Sequence, residues 1–214
     1  MKAVFTARRL NAGHYDDFRK AWEPDEWPAG FKGAHLMRDT ADPDQITIIG
    51  LFDVSDDEAA RLQTDLEPSE QARHDRMAPH IGETIVSGLF DVVVHEDGGA
   101  TGNQKAVLLT ERMLKPGSFD DEPGSFDDYM EAGRQMNEQM GGMPAGLEFM
   151  LLQDTANPDH TIQLGIVRVA DIQAFRDTVG SSRQNMLDSI APFLASVGID
   201  TAYELIEEIA PVRV

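Results

Sequence analysis

Two stretches of sixteen residues, DTADPDQITIIGLFDV (39–54) and DTANPDHTIQLGIVRV (154–169), are identical at seven positions. Each begins with an Asp- and Pro-rich turn and continues into β-branched and apolar residues, which is typical of a turn followed by a strand. Shorter matches occur in the same order: 2–4 with 105–107, 12–21 with 123–132, and 78–80 with 191–193. Similarity that keeps one order from end to end indicates two repeats in one chain.

The boundaries of the repeats follow from the sequence between them. We predict a first repeat over residues 1–97, a linker over 98–103 and a second repeat over 104–214, because GGATGN has a flexible linker composition. Residues 1–97 hold 10 basic and 20 acidic residues, and the remainder holds 8 and 18. Each repeat therefore carries half of the net charge of −20, which fits a duplication.

The first repeat reads β-α-β-β-α-β. The spacing of apolar residues predicts a first helix near 14–23, and Ser55 with Glu58 predicts the capped start of a second helix. That second helix is expected to break at Pro68 and to resume as far as about Ile85. The predicted strands of this repeat are 2–10, 31–38, 45–54 and 89–95. In the second repeat the predicted elements are 104–113, 125–141, 147–153, 160–169, 171–195 with a break at Gly180, and 202–209.

Apolar residues occupy both faces of the central strand of this pattern. Ile46, Ile48 and Phe52 point to one face of the sheet, and Ile49 and Leu51 point to the other. Helices of the same repeat cover one face, so the sheet of the other repeat is expected to cover the second. The predicted fold class is α+β: two ferredoxin-like β-α-β-β-α-β repeats whose antiparallel sheets pair into an intrachain α+β barrel. The sequence leaves open whether this pseudo-dimer pairs further into a homodimer.

Composition excludes several classes of function. The chain has no cysteine, which excludes disulfides and thiolate metal sites, and it has no metal-ligand, phosphate-loop or dinucleotide motif. Its net charge of −20 repels nucleic acids and anionic membranes. The sequence has no apolar run of about 18 residues and no signal peptide, so we expect no membrane partner and a cytoplasmic protein. The expected partner is a small hydrophobic or aromatic molecule.

The segments 1–22, 47–62 and 74–80 (MKAVFTARRLNAGHYDDFRKAW, TIIGLFDVSDDEAARL and HDRMAPH) resemble the antibiotic-biosynthesis-monooxygenase-like proteins of the dimeric α+β barrel superfamily. The resemblance implies a cofactor-independent monooxygenase-like enzyme that acts on a small aromatic or polyketide-type substrate. It also implies an alternative, which is a non-catalytic or isomerase- or cyclase-like barrel that binds a hydrophobic ligand or haem. No cofactor is expected in the first case, and haem is the group to test in the second.

The chain departs from the site that the resemblance implies. Relatives tend to use an Asn from a strand and a Trp from the second helix, and these positions fall near Ala7 and Asp65 here. Haem-degrading relatives add a histidine late in that helix, and His74 lies near this position. Its counterpart in the second repeat is Leu187, so at most one repeat could hold haem in that way.

Two histidines are the candidate catalytic residues. His35 lies on the second predicted strand, where it is either a hydrogen-bonded core histidine or a general base that lines a pocket between sheet and helices. His74 is either a structural histidine or a residue for proton transfer or haem binding. Both lie in the first repeat, which holds five of the six histidines and both tryptophans, so we expect any site there.

Five further residues are candidates for substrate binding. Trp22 and Trp27 flank Pro24 at the end of the first helix, where they either form a packing plug or stack on a planar substrate. Tyr15 and Arg38 could add a hydroxyl group and a cation. His80 lies six residues after His74, a spacing that does not place the two on one helical face as a metal pair.

The six residues of PGSFDD, 116–121, recur at 123–128. The first repeat has only one such segment between its first strand and helix, so the copy at 116–122 is expected to be an exposed insertion. Deletion of residues 116–122 should leave the fold intact, because surface loops tolerate changes in length at small cost. Circular dichroism and thermal unfolding check this result. An unfolded deletion variant would show that the proposed alignment of the two repeats is wrong.

Overall fold

The computed structural model describes residues 1–64, 68–97, 104–116, 131, 135, 148–169, 188 and 190–209. The chain divides into two compact units: unit 1 is Met1–Asp91 with Leu205–Val214, and unit 2 is Val92–Glu204. The strands are β1 (Lys2–Leu10), β2 (Phe31–Asp39), β3 (Gln45–Phe52), β4 (Ile81–Asp97), β5 (Gln104–Leu114), β6 (Glu148–Asp154), β7 (His160–Val169) and β8 (Leu194–Ile209). The helices are α1 (Tyr15–Trp22), α2 (Asp56–Thr64) and α3 (Pro68–Met77), and 3₁₀ turns span Ala78–His80 and Ala191–Phe193.

The hydrogen-bonded strand order is that of a closed barrel, β1-β3-β2-β8-β5-β7-β6-β4. The pairs of β1 with β3 and β4, of β3 with β2, and of β7 with β5 and β6 are all antiparallel. Strands β4 and β8 each begin in one unit and end in the other. This architecture confirms the predicted α+β class with an antiparallel barrel formed by a single chain. The predicted linker over 98–103 lies outside the described residues.

The core of unit 1 lies between its sheet and its helices. From α1, Phe18 and Trp22 join a buried cluster that also contains Met77 of α3. The sheet residues of this cluster include Leu10, Ala34, Leu36, Ile46, Ile48 and Phe52. Because successive residues of a strand point to opposite faces, these sheet residues define one face, here called the helix-side face.

The two similar stretches that decide the fold form the same turn. Asp39 Oδ1 accepts a hydrogen bond from the backbone N of Ala41 at 2.7 Å, and Asp154 Oδ1 accepts one from Ala156 at 2.8 Å. The following strands are then tied to β1 and β5 in the same way. The backbone N of Leu10 donates to Asp44 at 2.8 Å, and that of Leu114 donates to Asp159 at 2.7 Å. Stretches that are alike in sequence therefore fold alike locally, because an aspartate at the start of each turn accepts these backbone hydrogen bonds.

The start of α2 is capped as the sequence predicts. Glu58 Oε2 accepts hydrogen bonds from the backbone N of Ser55 at 2.9 Å and from its hydroxyl at 2.7 Å. The Ser55 hydroxyl in turn accepts a bond from the backbone N of Glu58 at 3.4 Å. These contacts form a capping box, and the hydrogen bonds from Ser55 lower the pKa of Glu58.

The predicted end of the second helical segment is wrong. Helix α3 ends at Met77, and β4 begins at Ile81 rather than at 89. Pro79 lacks the backbone N–H that an α-helix needs, and the chain passes through a 3₁₀ turn into a strand in which Ile81 pairs with Leu10. The same correction applies to unit 2, where β8 begins at Leu194 rather than at 202. The predicted helix over 125–141 and most of that over 171–195 lie outside the described residues.

A bidentate ion pair ties α1 to the end of β8 within unit 1. Arg19 Nε donates to Glu207 Oε2 at 2.7 Å, and its Nη2 donates to Oε1 at 2.8 Å. Its Nη1 donates to Glu23 at 2.5 Å. These contacts, led by the bond to Glu207, raise the pKa of Arg19 and lower that of Glu207. Bidentate arginine–carboxylate pairs are among the stronger polar contacts, so this one helps to hold the last strand in place.

Replacement of Arg19 by methionine should lower the free energy of unfolding by about 1 to 2 kcal/mol, because it removes a partly exposed charge-assisted pair. Urea unfolding at neutral pH measures the change. Lys20→Met is the control, since Lys20 is exposed on the same helix and its nearest carboxylate is 3.8 Å away. Equal effects of the two substitutions would contradict a stabilising role for the Arg19–Glu207 pair.

Candidate functional site

Two arginines flank an isoleucine on the helix-side face of unit 1. Ile46 of β3 pairs with Arg8 of β1 on one side and with Arg38 of β2 on the other. The Arg8 guanidinium carbon lies 6.0 Å from the centre of the Phe18 ring, and that of Arg38 lies 5.2 Å from the centre of the Tyr15 ring. Both cations therefore face aromatic residues of α1, at a distance where cation–π attraction operates.

Helix α1 presents these aromatic rings because of their spacing. Tyr15, Phe18 and Trp22 are three and four residues apart, which places them on one side of the helix. Phe18 and Trp22 are 0% and 6% exposed, and Tyr15 is half-buried. Burial is the main cause that raises the pKa of Tyr15 above 10.0, with the charge of Arg38 acting against it. The Tyr15 hydroxyl therefore stays protonated and can donate a hydrogen bond.

Helix α3 brings His74 to the same face. Its neighbour Arg73 forms an ion pair with Glu70, and Arg73 Nη1 donates to the backbone oxygen of Trp22 at 3.4 Å. Burial first, and then the positive charges of Arg73 and Arg8, lower the pKa of His74 below 6.5. His74 is therefore neutral at neutral pH, and its half-buried imidazole can accept a proton.

Arg8 lies in an unusual electrostatic position. Burial and the charge of Arg73 lower its pKa below the usual value for arginine, yet a guanidinium stays charged in proteins. Its Nε atom is buried and has no hydrogen-bond partner within the described ranges.

We call Arg8, Arg38, Tyr15, Phe18 and His74 the helix-side site.

Three of the residues predicted from the sequence meet in this site: His74, Tyr15 and Arg38. The sequence analysis missed Arg8. Thr6, Arg8 and Leu10 occupy alternate positions of β1 and therefore point to one face of the sheet, so a charged residue at this position could have been noticed. Trp22 instead packs in the core, and Trp27 stacks on Phe31 with ring centres 4.1 Å apart.

His80 makes a separate contact at the start of α1. Its Nδ1 atom lies 3.1 Å from Nδ1 of His14, so one ring donates a hydrogen bond that the other accepts. The backbone oxygen of His80 also accepts a hydrogen bond from Asn11 at 2.9 Å. His80 thus connects the 3₁₀ turn to the loop before α1, and its role in substrate binding stays a prediction.

The expectation that His35 lines a space between sheet and helices requires a correction. Its neighbours Ala34 and Leu36 belong to the helix-side cluster, so the His35 side chain points to the opposite face. There it lies in register with Ile49, which pairs in turn with Phe5. His35 is 9% exposed and shares no face with His74.

Unit 2 contains a histidine held between two carboxylates. His160 Nε2 lies 2.9 Å from Glu111 Oε1, and its Nδ1 lies 2.9 Å from Asp154 Oδ2. The second oxygen of Glu111 accepts a hydrogen bond from the backbone N of Ile199 at 3.1 Å. The bond to Glu111 is the main cause that raises the pKa of His160, and the same bond lowers the pKa of Glu111. Both ring nitrogens contact carboxylates, so His160 is better suited to hold a positive charge in place than to act as a general base.

Metal clusters and membrane-spanning helices are both absent from the described residues. Among the residues that the structure describes, no group of three or more His, Asp or Glu side chains could hold a metal ion. In the same part of the chain, no helix is both long and apolar enough to span a membrane.

Comparison with solved structures identifies the fold. The chain matches an anthrone oxidase-like protein with a TM-score of 0.70 at 10% identity, over 99% of this chain and 94% of the other. It matches a candidate monooxygenase from Fusobacterium nucleatum with a TM-score of 0.63 at 16% identity, over 98% and 94% of the chains. A candidate monooxygenase from Lactobacillus acidophilus matches with a TM-score of 0.59 at 13% identity, over 98% and 95%.

No protein-family model matches the chain, and neither does any curated protein. At these low identities the structural likeness shows the fold alone. The chain shares its fold with these solved structures, which confirms the fold that the sequence resemblance implies. The fold does not define the activity, which depends on the residues of the site.

Replacement of His160 by glutamine should change how stability depends on pH. Because folding raises the pKa of His160, its stabilising contribution is complete below about 6.5 and is lost as pH rises through the folded value. We expect the variant to be less stable by about 1 to 2 kcal/mol near pH 6, with a smaller difference at alkaline pH.

Urea unfolding across this pH range measures both proteins. His95→Gln is the comparison, since His95 contacts one carboxylate, that of Glu148 at 3.1 Å, rather than two. Parallel stability curves for the wild type and His160→Gln would contradict the proposed contribution.

Proposed function

We propose that the protein is a cofactor-independent, monooxygenase-like enzyme that oxidises a small aromatic or polyketide-type molecule at the helix-side site. One observation carries the proposal: burial and the cations Arg73 and Arg8 hold His74 neutral, and Arg8 itself lies beside the Phe18 ring. The fold is shared with an anthrone oxidase-like protein and with two candidate monooxygenases. The fold alone does not define a reaction, so the proposal depends on the chemistry of these side chains.

The reaction needs a base and an electron-rich substrate. In an anthrone-like compound, His74 would take one proton from the ring CH₂ group, and the resulting anion would pass electrons to O₂. A carbon–oxygen bond then forms to give a peroxide. Loss of water from the peroxide breaks the O–O bond and leaves a carbonyl group. The overall change is CH₂ + O₂ → C=O + H₂O, in which the substrate supplies all the electrons.

The protein would contribute binding and proton transfer in this scheme. Phe18 is buried beside the Arg8 guanidinium, and the half-buried Tyr15 keeps its hydroxyl proton for donation to a substrate oxygen. The proton that His74 accepts can return to the peroxide, because a histidine with a lowered pKa releases it readily. Holding the reactants in one place adds to the rate by proximity.

Haem binding is the second function to test, because a neutral imidazole is the form that binds iron and His74 is in this form. A single histidine ligand fits haem iron, which would supply its own oxygen chemistry when bound. Titration with haemin and a visible spectrum distinguish this case. A Soret shift that is absent from His74→Ala would favour haem binding over cofactor-independent oxygenation.

Oxygen uptake with anthrone tests the first function. We expect the wild type to accelerate uptake above the uncatalysed rate and His74→Ala to lose about 10²-fold of this acceleration, the usual contribution of a general base. The acid limb of the pH–rate profile should have its midpoint below 6.5, because the lowered pKa keeps His74 deprotonated down to that range.

Gln71→Ala is the matched control, since Gln71 is exposed on α3 and its side chain donates to Asp75 at 2.9 Å. It should retain the wild-type rate. Unchanged uptake in His74→Ala, or uptake by the wild type that does not exceed the uncatalysed rate across a series of hydroxylated anthrones, would rule out the proposed function.

A further inference from the structure

We propose that the helix-side site binds an aromatic carboxylate and that Arg8 is the residue which selects this group. The inference deepens the proposed function by naming the charge of the substrate, and it rests on that function only for the site that the substrate occupies. Its support comes from the unbalanced charge at Arg8 and from the aromatic ring beside it.

Among the described residues, no carboxylate is recorded as a counter-charge of Arg8. Its Nε is buried with no hydrogen-bond partner in the described segments, and the neighbouring charge that acts on it is another cation, Arg73. A buried polar atom without a hydrogen-bond partner is costly unless something compensates it. The chain has 38 acidic residues against 18 basic ones. Even so, no carboxylate among the described residues is recorded as acting on the charge of Arg8.

Two nearby carboxylates are already engaged with other arginines. Glu70 is paired with Arg73, and Glu207 accepts both bonds from Arg19. Neither of these two carboxylates is paired with Arg8. With these carboxylates of the described residues engaged, a bound molecule is the proposed source of the negative group that compensates Arg8.

The guanidinium of Arg8 and its neighbours indicate the shape and chemistry of that molecule. A guanidinium group has parallel N–H donors that match the two oxygens of a carboxylate, which makes arginine the preferred residue for such ligands. Phe18 lies beside Arg8, and Arg38 with Tyr15 lies across Ile46 on the same face. This combination suits a flat ring that carries a carboxylate, while His74 remains free of charge for proton transfer.

Selection of the carboxylate by Arg8 is separate from catalysis. Arg8 keeps its positive charge at every stage of the reaction, whereas His74 acts by gaining and losing a proton. The carboxylate that Arg8 binds is a fixed group of the substrate and not the carbon that reacts. Removal of Arg8 should therefore weaken the binding of acids more than the binding of neutral analogues.

The test compares 2-naphthoate with its uncharged analogue 2-naphthamide, by calorimetry in the absence of O₂. We expect the wild type to bind naphthoate at least about tenfold more tightly, as a charge-assisted bidentate pair allows. In Arg8→Gln this preference should disappear. Arg9→Gln is the matched control, because Arg9 is the next residue of β1, lies on the opposite face and is paired with Asp42 at 3.2 Å.

Each outcome decides the proposal. Equal binding of the two probes by the wild type, no binding of either, or an unchanged preference in Arg8→Gln would overturn it. If Arg8→Gln does not fold, Arg8→Lys replaces it. Lysine keeps the charge but loses the parallel donors, so the preference should fall at least about threefold, and an unchanged preference would overturn the proposal.

The binding assay and the oxygen assay can fail independently. A naphthoate preference that depends on Arg8, without oxygen uptake on any substrate, would keep this inference and reject the oxygenase. Oxygen uptake with anthrone, without a naphthoate preference, would reject this inference and keep the proposed function.

Discussion

The packing of α1 on the sheet of unit 1 is the interaction on which the candidate site depends. Phe18 and Trp22 are nearly or fully buried against sheet residues such as Leu10 and Ile46. Burial of side chains of this size contributes about 2 to 3 kcal/mol each, enough to fix the orientation of the helix. Once α1 is fixed, Tyr15 and Phe18 must lie over the row of residues that holds the two arginines.

The electrostatics of the site oppose those of the whole chain. The protein carries a net charge of −20, yet the helix-side site contains Arg8 and Arg38, and the charge of Arg73 acts on Arg8. Their main effect is on a neighbour: with burial, Arg8 and Arg73 keep His74 neutral. In unit 2 the opposite arrangement occurs, where carboxylates surround His160 and raise its pKa. The surroundings of these two histidines thus shift their pKa values in opposite directions.

Part of the site could be predicted from the sequence, and the reasons differ by residue. His74 was found through its position in a family resemblance, and Tyr15 and Arg38 through their residue type. Arg8 was missed because a charged residue within a strand is usually assigned to the solvent, and only the register with Ile46 shows its direction. His35 was placed on the helix side because the alternation of its strand had not been anchored to a partner. The ends of α3 and β4 were misplaced because pairing with β1 overrode the local pattern.

The sequence alone determined the local features: the Asp-rich turns, the Ser55–Glu58 cap, the α+β class and the duplicated stretch. These depend on residues that are close together in the chain, so composition and spacing are enough to specify them. The tertiary structure decided which side of the sheet each residue faces and which charges meet. Arg8 and His74, like Glu111 and His160, come from separate elements. Their protonation depends on burial and on neighbouring charges, and both exist only after the strands and helices have packed.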